Sequence, residues 1–299
     1  MVPSTGSTTR RRGSGDRSAW AFLAPYAIAT LLLVLVPALL TFRYAFTDFT
    51  GLGSAGFNGL DNLRRLVDDP FFAASLRASA IHVAVAVPLR LFVAVGLALL
   101  LAAPRRGGRW YRVAVYLPTV VPDIALALLF LWVLNPIYGP LNQVLGAVGL
   151  PQPTWLATTW GARSGVILML LFPIGEAFLV ALATRRSLNA RLYEAAALDG
   201  CSPRMQLRHI TLPLMAPVLL LLAVRDTALL LQVSFVPAYL LTDGGPGNAT
   251  LYLPIYIYDQ AFEFLGFGYS AMLTLVLLAI TLVVIALQLL VVRRWRILQ

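Results

Sequence analysis

The chain has 299 residues, 59% of them hydrophobic and 12% charged, with a mean hydropathy of +0.80. A soluble domain carries about a quarter charged residues, and here apolar runs of about 20 residues, each able to cross a hydrocarbon core about 30 Å thick, recur along the chain, which excludes a soluble protein with one anchor. The formal charge of +10 comes from 23 basic residues, all arginine, which cluster at the ends of the apolar runs and so read as membrane topology rather than nucleic-acid binding.

Spanning segments must satisfy their backbone internally, which leaves helices or closed barrels. The runs are continuous and do not alternate, so the fold class is all-α, a polytopic membrane protein with about six transmembrane helices. Residues 1–17 are rich in Ser, Thr, Gly and Arg and are expected to be a disordered tail. The first helix is expected at 20–42. It is too long for a signal-peptide core and no small-residue cleavage site follows it, so it reads as an uncleaved span. Segment 43–76 balances three arginines with Asp48, Asp61, Asp68 and Asp69. A second helix at 77–103 leads to a segment with Arg105, Arg106, Arg109 and Arg112 and no acid. The third helix is expected at 113–134. After it, 135–163 is a Gly-, Pro- and Asn-rich stretch with one arginine. The fourth helix (164–184) leads to 185–213, which has five arginines against Glu194 and Asp199. A fifth helix (214–241) precedes an acidic segment with Asp243, Asp259 and Glu263. The sixth (268–292) ends at Arg293, Arg294 and Arg296. This alternation of charge places both termini, 104–112 and 185–213 on the cytoplasmic side, and it fits an even number of spans.

Segment 185–213 is the soluble-looking exception in an apolar chain. Leu192 to Leu198 favours a helix by propensity. Gly200 stops it, because glycine adopts the left-handed cap conformation without steric cost. Ser202 and Pro203 then suit the N-cap and first position of a second helix, to about Thr211, with Pro213 opening the next span. The result is a compact knob with small residues on its first helix.

The order and spacing of Glu194, Ala195, Ala196, Gly200, Ile210, Leu212 and Pro213 closely resemble the coupling motif of the membrane subunits of binding-protein-dependent ABC importers. Other stretches point to the carbohydrate type of that family, similar to the first permease of maltose and glycerol-phosphate importers: "FLAPYAIATLLLVLVPALLTFRYAFTDF" (22–49), "GLDNLRRLVDDPFF" (59–72), "NPIYGPLNQVLGAVGLP" (135–151) and "YLLTDGGPGNAT" (239–250). The resemblance covers nearly the whole chain. It departs at Leu171-Phe172-Pro173, where the family has a W-x-G pattern, and at Leu188-Asn189, where it has I-P. It implies a type I importer permease domain over 18–299, with 185–213 docking on a separate ATPase through Tyr193, Glu194, Ala195, Ala196, Asp199, Gly200, His209, Ile210 and Pro213. It further implies a second homologous permease, an ATP-binding cassette ATPase dimer that binds the ATP and Mg, and an extracellular solute-binding protein, all in a bacterial cell membrane. This chain has no Walker A sequence and is expected to hold no cofactor and to be no enzyme.

Ionisable residues at membrane depth are costly and face a cavity or a partner. Five stand out: Arg90, Asp123, Glu176, Arg225 and Asp226. Glu176 and Asp226 lie near the middles of the fourth and fifth spans. Two readings stay open: a polar cavity whose carboxylates accept hydrogen bonds from sugar hydroxyls, or an intramembrane pair such as Glu176 with Arg225. Asp123, after Pro118 and Pro122, is a further cavity candidate. On the fifth span, Thr227, Leu231, Ser234 and Phe235 are spaced along one side, with Gln232 and Tyr239 nearby. Hydroxyls, an amide and aromatic faces suit a sugar. His82 and His209 are the two histidines; His82 has no second ligand in sight, so no metal site is expected.

The substrate expected is a neutral mono- or oligosaccharide. A glycerol-phosphate or related phosphodiester is the alternative, because Arg225 can serve an anion. An ion-coupled secondary carrier, with Glu176 and Asp226 as ion sites, is the remaining class. Such carriers show repeated halves and broken helices, and neither is legible in the sequence.

Overall fold

The computed structural model describes residues 15–103 and 106–297. Among them the regular structure is helical, with a single isolated bridge between Thr47 and Phe57. Residues 1–14 of the expected tail lie outside the described residues. Residues 15–17 lie in the helical run Gly15–Thr30 that leads into α1 (Ala21–Tyr44).

Four helices are each long and apolar enough to span a membrane: α1, α3 (Pro70–Leu100), α10 (Pro203–Val233) and α13 (Phe267–Ile297, apolar to Val291). Two further spans are bent pairs. The helix expected at 113–134 is α4 (Gly108–Val120) and α5 (Asp123–Val133), meeting at 101°; the one expected at 164–184 is α7 (Thr159–Leu170) and α8 (Gly175–Ser187), meeting at 56°. Counting each pair as one span gives six. Broken helices are therefore present, contrary to the sequence reading. The cause is proline. Val121 is extended (φ −73°, ψ 130°) ahead of Pro122, because a residue before proline is pushed out of the α region. Pro173 lies in the second break and has no N–H to continue the ladder.

The expected boundary at Pro213 does not form. The second helix of the knob runs into the fifth span as the single helix α10. A wide π turn at Leu207–Thr211 absorbs the proline, as another at Leu31–Leu35 does ahead of Pro37. Widening the turn relieves the clash between a proline ring and the carbonyl four residues back. Ser234 then separates α10 from α11 (Phe235–Thr242).

α3 is the central element, with α8 and α10 packed along it; α13 packs on α10 and α1, and α11 on α5 and α7. Its N-terminus is capped by Asp69, which accepts from the N–H groups of Phe71 (2.9 Å) and Phe72 (3.3 Å). Its other end, at Leu101, accepts from Arg186 in the last turn of α8. The 185–213 knob and Asp69 thus lie at opposite ends of the bundle. Buried apolar side chains form two clusters. One contains Leu126, Phe130, Val166, Leu230, Tyr252 and Leu273; the other, toward the knob, contains Ala94, Ala98, Phe178, Ala181, Met215 and Leu222. α1 is the outlier: its apolar window has no buried residue, and Phe22 and Leu33 are 88% and 76% exposed. Shorter helices join the spans at the far end: α2 (Asp61–Asp68), α6 (Pro140–Ala147) and α12 (Leu253–Tyr258).

Candidate functional site

The knob is built as two capped helices. Asn189 caps α9 (Ala190–Leu198) by accepting from the Arg191 N–H at 3.0 Å. Gly200 takes φ +79°, the left-handed value that glycine reaches at no cost. Ser202 caps α10 by accepting from the Met205 N–H, with Pro203 in the first turn. Glu194, Ala195, Asp199, Gly200 and His209 are exposed, Ala196 and Ile210 half-buried, and Leu198 is 90% exposed. The knob therefore offers an acid, a carboxylate-flanked turn and a bare leucine to whatever covers it. His209 turns its Nδ1 to the Met205 carbonyl, 3.1 Å away on its own helix. Pro213 is half-buried in the continuous helix.

Tyr193 ties this knob to both neighbouring spans. Its hydroxyl lies 2.9 Å from the Thr211 Oγ1, at the root of α10. Its ring lies under the Arg185 guanidinium of α8, 4.4 Å from the ring centroid. Thr211 is buried and reaches the Gln206 carbonyl as well. One side chain so links the helix before the knob, the knob and the helix after it.

At membrane depth, four charges from three helices meet. The Arg90 Nε donates to the Asp226 Oδ2 at 3.2 Å, and its Nη1 donates to the Leu170 carbonyl, the last residue of α7 before the break. Arg225 pairs with Glu176 in the first turn of α8, and its Nη1 lies 3.7 Å from the Asp226 Oδ1. Asp226 is 1% exposed, whereas the Glu176 and Arg225 side chains are 51% and 42% exposed. Asp226 is thus a buried ion-pair partner and does not face an open cavity. Glu176 and Arg225 form the pair that the sequence offered as one alternative, but on an open face.

The sequence-expected stripe on the fifth span turns inward. Thr227 and Ser234 are each 1% exposed and Leu231 is 6% exposed. Thr227 accepts from the Gln288 Nε2 at 2.9 Å, and the Ser234 Oγ lies 3.1 Å from the His82 Nε2. These hydroxyls serve helix packing, and His82 is a core residue. The reason is register: the side of α10 that carries them packs on α3 and α13. The exposed side is the other one, with Arg225, Leu229 and Gln232 followed by half-buried Phe235 and Tyr239. Asp123 is exposed at the first turn of α5, across a proline break from Thr119, whose Oγ1 accepts from the Gly175 N–H at 2.9 Å. That contact joins the two broken spans.

Sequence reasoning missed three things. The first is the partner of Arg90, a charge it singled out without one. The second is Arg185 over Tyr193. The third is a line of aromatic rings: Phe235 stacks on Tyr239 (5.1 Å between centroids), Tyr258 touches both, and Phe262 follows at 5.0 Å. The opposite signs of Arg90 and Asp226, both deep within long apolar helices, were the available signal for the first.

The far end holds an acidic cavity of about 800 Å3 bordered by Asp68, Asp69, Asp243 and Asp259, with Arg65 as the one basic residue among the described residues that border it. Arg65 is engaged: its guanidinium lies 4.0 Å over the Tyr269 ring and donates to Gln260 at 3.4 Å. Burial pushes the Asp69 carboxyl up, but hydrogen bonds from the hydroxyls of Tyr256 and Tyr269 and from two backbone N–H groups win, and hold it below its ordinary value. Asp259 goes the other way: burial first, then Glu263 and Asp243, raise it to about 6. Among the described residues no group of three His, Cys, Asp or Glu side chains is placed to hold a metal ion.

Taken together, this is a polytopic helical membrane protein with broken spans, a charge cluster at membrane depth and an exposed helical knob between its fourth and fifth spans. The chain belongs to the family of binding-protein-dependent transport system inner membrane components, whose profile matches residues 92–297. It is 31% identical to the sulfoquinovosyl glycerol transport system permease protein SmoG of Agrobacterium fabrum over 292 residues, covering 95% of this chain and 94% of that one. It is also 31% identical to the lactose transport system permease protein LacF of Rhizobium radiobacter, covering 91% and 93%. The crystal structure of a bacterial ABC transporter involved in the import of the acidic polysaccharide alginate has a chain of the same fold, with a TM-score of 0.82 at 23% identity, covering 94% of this chain and 96% of that one.

Proposed function

We infer that the chain is one permease subunit of an ATP-driven importer, that it pairs with a second, similar permease, and that it takes a saccharide from an external solute-binding protein. The 185–213 knob faces the cytoplasm with both termini and docks on a separate ATPase dimer, which binds the ATP and Mg. Glu194, Ala195, Ala196, Asp199 and Gly200 form the docking face, and Ile210, His209 and Pro213 continue it into α10. Closing of the ATPase moves the knob, and α8 and α10 carry that motion to the broken spans.

The observation that carries this reading is the position of Tyr193. A loop helix with no partner needs no bracing to both flanking spans, whereas a lever does. The saccharide follows from the open face of α10 and from relatives such as the lactose permease. Among the described residues Arg225 is the one cation at membrane depth on that face, and it is shared between Glu176 and Asp226. An anion would have to displace both carboxylates, so a neutral sugar is favoured over a phosphate ester, the second reading. Asp123, Glu176, Arg225, Gln232, Phe235 and Tyr239 remain candidates to line its path.

The test is assembly. Glu194→Arg and Gly200→Trp should weaken co-purification of the ATPase and abolish solute-stimulated ATP hydrolysis. Neither position is packed against the rest of the chain: Glu194 is exposed, and a Cβ at Gly200 meets nothing within 4 Å. Wild-type co-purification and wild-type stimulation in both variants would remove the knob from the coupling role.

A further inference from the structure

Seven aromatic rings form one continuous surface at the far end of the open face of α10. Beyond Phe235, Tyr239, Tyr258 and Phe262, the line continues to Phe267 (5.9 Å), to Phe49 (5.9 Å) and to Tyr44 (4.7 Å). It joins three stretches far apart in sequence: the end of α1 with the segment after it, α11, and the run from the end of α12 to the start of α13. Phe235 lies ten residues beyond Arg225, just past the Ser234 break, about 15 Å at 1.5 Å per residue. The rings so lie on the far-end side of the charge cluster.

Six of these rings border a groove of about 440 Å3, within the range of about 300–1,000 Å3 usual for small-molecule sites. Three aliphatic hydroxyls also border it, beside the phenols of Tyr44 and Tyr258. The Thr41 Oγ1 donates to the Pro37 carbonyl (2.9 Å), the Ser270 Oγ to the Ile257 carbonyl (3.1 Å) and the Thr274 Oγ1 to the Ser270 carbonyl (2.9 Å). Each proton is already used, so each oxygen is left to accept. None of the described residues bordering the groove is basic, and Asp259 and Glu263 lie on the same segment as Tyr258 and Phe262. The surface thus offers aromatic faces, hydrogen-bond acceptors and two phenolic hydroxyls, with no positive charge for an anion.

We propose that this groove is a binding track for an uncharged saccharide on its way from the far end to the charge cluster at Glu176 and Arg225. A pyranose has the matching chemistry: C–H groups on its faces to lie on the rings, and hydroxyl donors around its edge for the spare oxygens. A carboxylated or sulfonated sugar would meet acceptors and carboxylates without a compensating cation. Tyr258, Phe262, Phe267 and Phe49 are thereby specificity residues. The proposal rests on the saccharide reading above.

The test uses the complete importer in proteoliposomes, with the second permease, the ATPase and the binding protein. Uptake is measured for neutral disaccharides (lactose, maltose, diacetylchitobiose) and for their uronate counterparts. Wild type should take up a neutral sugar. Phe262→Ala should raise the half-saturating concentration of loaded binding protein or cut uptake by about tenfold, the scale of one lost apolar face. Phe262→Trp should restore most of it, and the complex should remain assembled by size-exclusion in both variants. Unchanged uptake in Phe262→Ala overturns the track and leaves the saccharide reading standing. Loss of the second permease from Phe262→Ala also overturns the track, since the rings would then cover a subunit. Wild-type uptake of uronates alone overturns the assignment of an uncharged ligand. Uptake of none of the panel refutes the saccharide reading and the track with it.

Discussion

Arg90 on the central helix and Asp226 on the fifth span meet at 3.2 Å, with 11% and 1% of their side chains exposed. The same arginine holds the Leu170 carbonyl, so three spans share one charge at the point where the fourth is broken. Ion pairs of this kind are costly to half-remove. Deleting one partner of a buried pair typically costs about 3–5 kcal/mol, because the other charge is left without compensation, whereas replacing both by apolar residues is close to neutral.

Asp226→Asn and Arg90→Met are therefore each expected to lower the thermal unfolding midpoint of the purified complex, and Arg90→Met with Asp226→Leu to recover much of the loss. Scanning the three variants in detergent checks this. Additive losses in the double variant would mean that the two side chains act independently.

Tyr193 makes two separable contacts. Tyr193→Phe keeps the ring under Arg185 and loses the hydroxyl bond to Thr211, a difference of about 1 kcal/mol. Tyr193→Ala loses both, with the cation–π contact contributing about 0.5–1 kcal/mol more. The expected outcome is a graded rise in ATP hydrolysed per solute transported, Ala above Phe above wild type. Equal ratios in all three would mean that the brace transmits nothing.

Gly175 is a close approach rather than a flexible point. A Cβ there would stand 2.8 Å from the Tyr116 Cα. Gly175→Ala must push α8 away from α4 and loosen the contact between the two broken spans, at about 1–3 kcal/mol. Gly200→Ala meets nothing and costs only the strain of its positive φ, about 1 kcal/mol. Thermal midpoints should fall further for Gly175→Ala.

Asp259 binds its proton more tightly in the folded protein, at about 6 against an ordinary 3.8. Below about 4 both states are protonated and nothing is lost. As pH rises from about 4 to 6 the unfolded chain ionises first, so this group's contribution turns progressively unfavourable and stays so above 6. Asp69 has the opposite sign: its folded value is lowered, so its contribution is full above 3.8 and fades as pH falls below it. Asp259→Asn is expected to flatten the pH dependence of stability between about 4 and 6, read as thermal midpoints at half-unit steps. An unchanged slope would contradict the assignment.

The all-α class, the four long spans and the two-helix knob were legible, because they rest on composition, continuous hydropathy and capping residues. Gly200, Ser202 and Asn189 adopt cap geometries that short-range sequence dictates. The breaks at Val121–Pro122 and Phe172–Pro173 were not read, though the prolines were visible. Hydropathy runs straight through them, and only packing decides whether a proline is absorbed, as at Pro213, or breaks the helix. The inward stripe of Thr227, Leu231 and Ser234 was read as an open face because spacing gives a shared side without saying what covers it. Rings from residues 44, 49, 235, 239, 258, 262 and 267 carry no local pattern at all. They converge only because α1, α11, α12 and α13 meet at one end.

The measurement that tests the account most directly is ATP hydrolysis by the intact importer in lipid, recorded against neutral saccharides and glycerol-phosphate esters delivered with the binding protein. Stimulation by a neutral saccharide, reduced in Glu176→Ala, is the predicted result. Stimulation by a phosphate ester alone, or solute uptake that survives ATP depletion and collapses with an ion gradient, would contradict it.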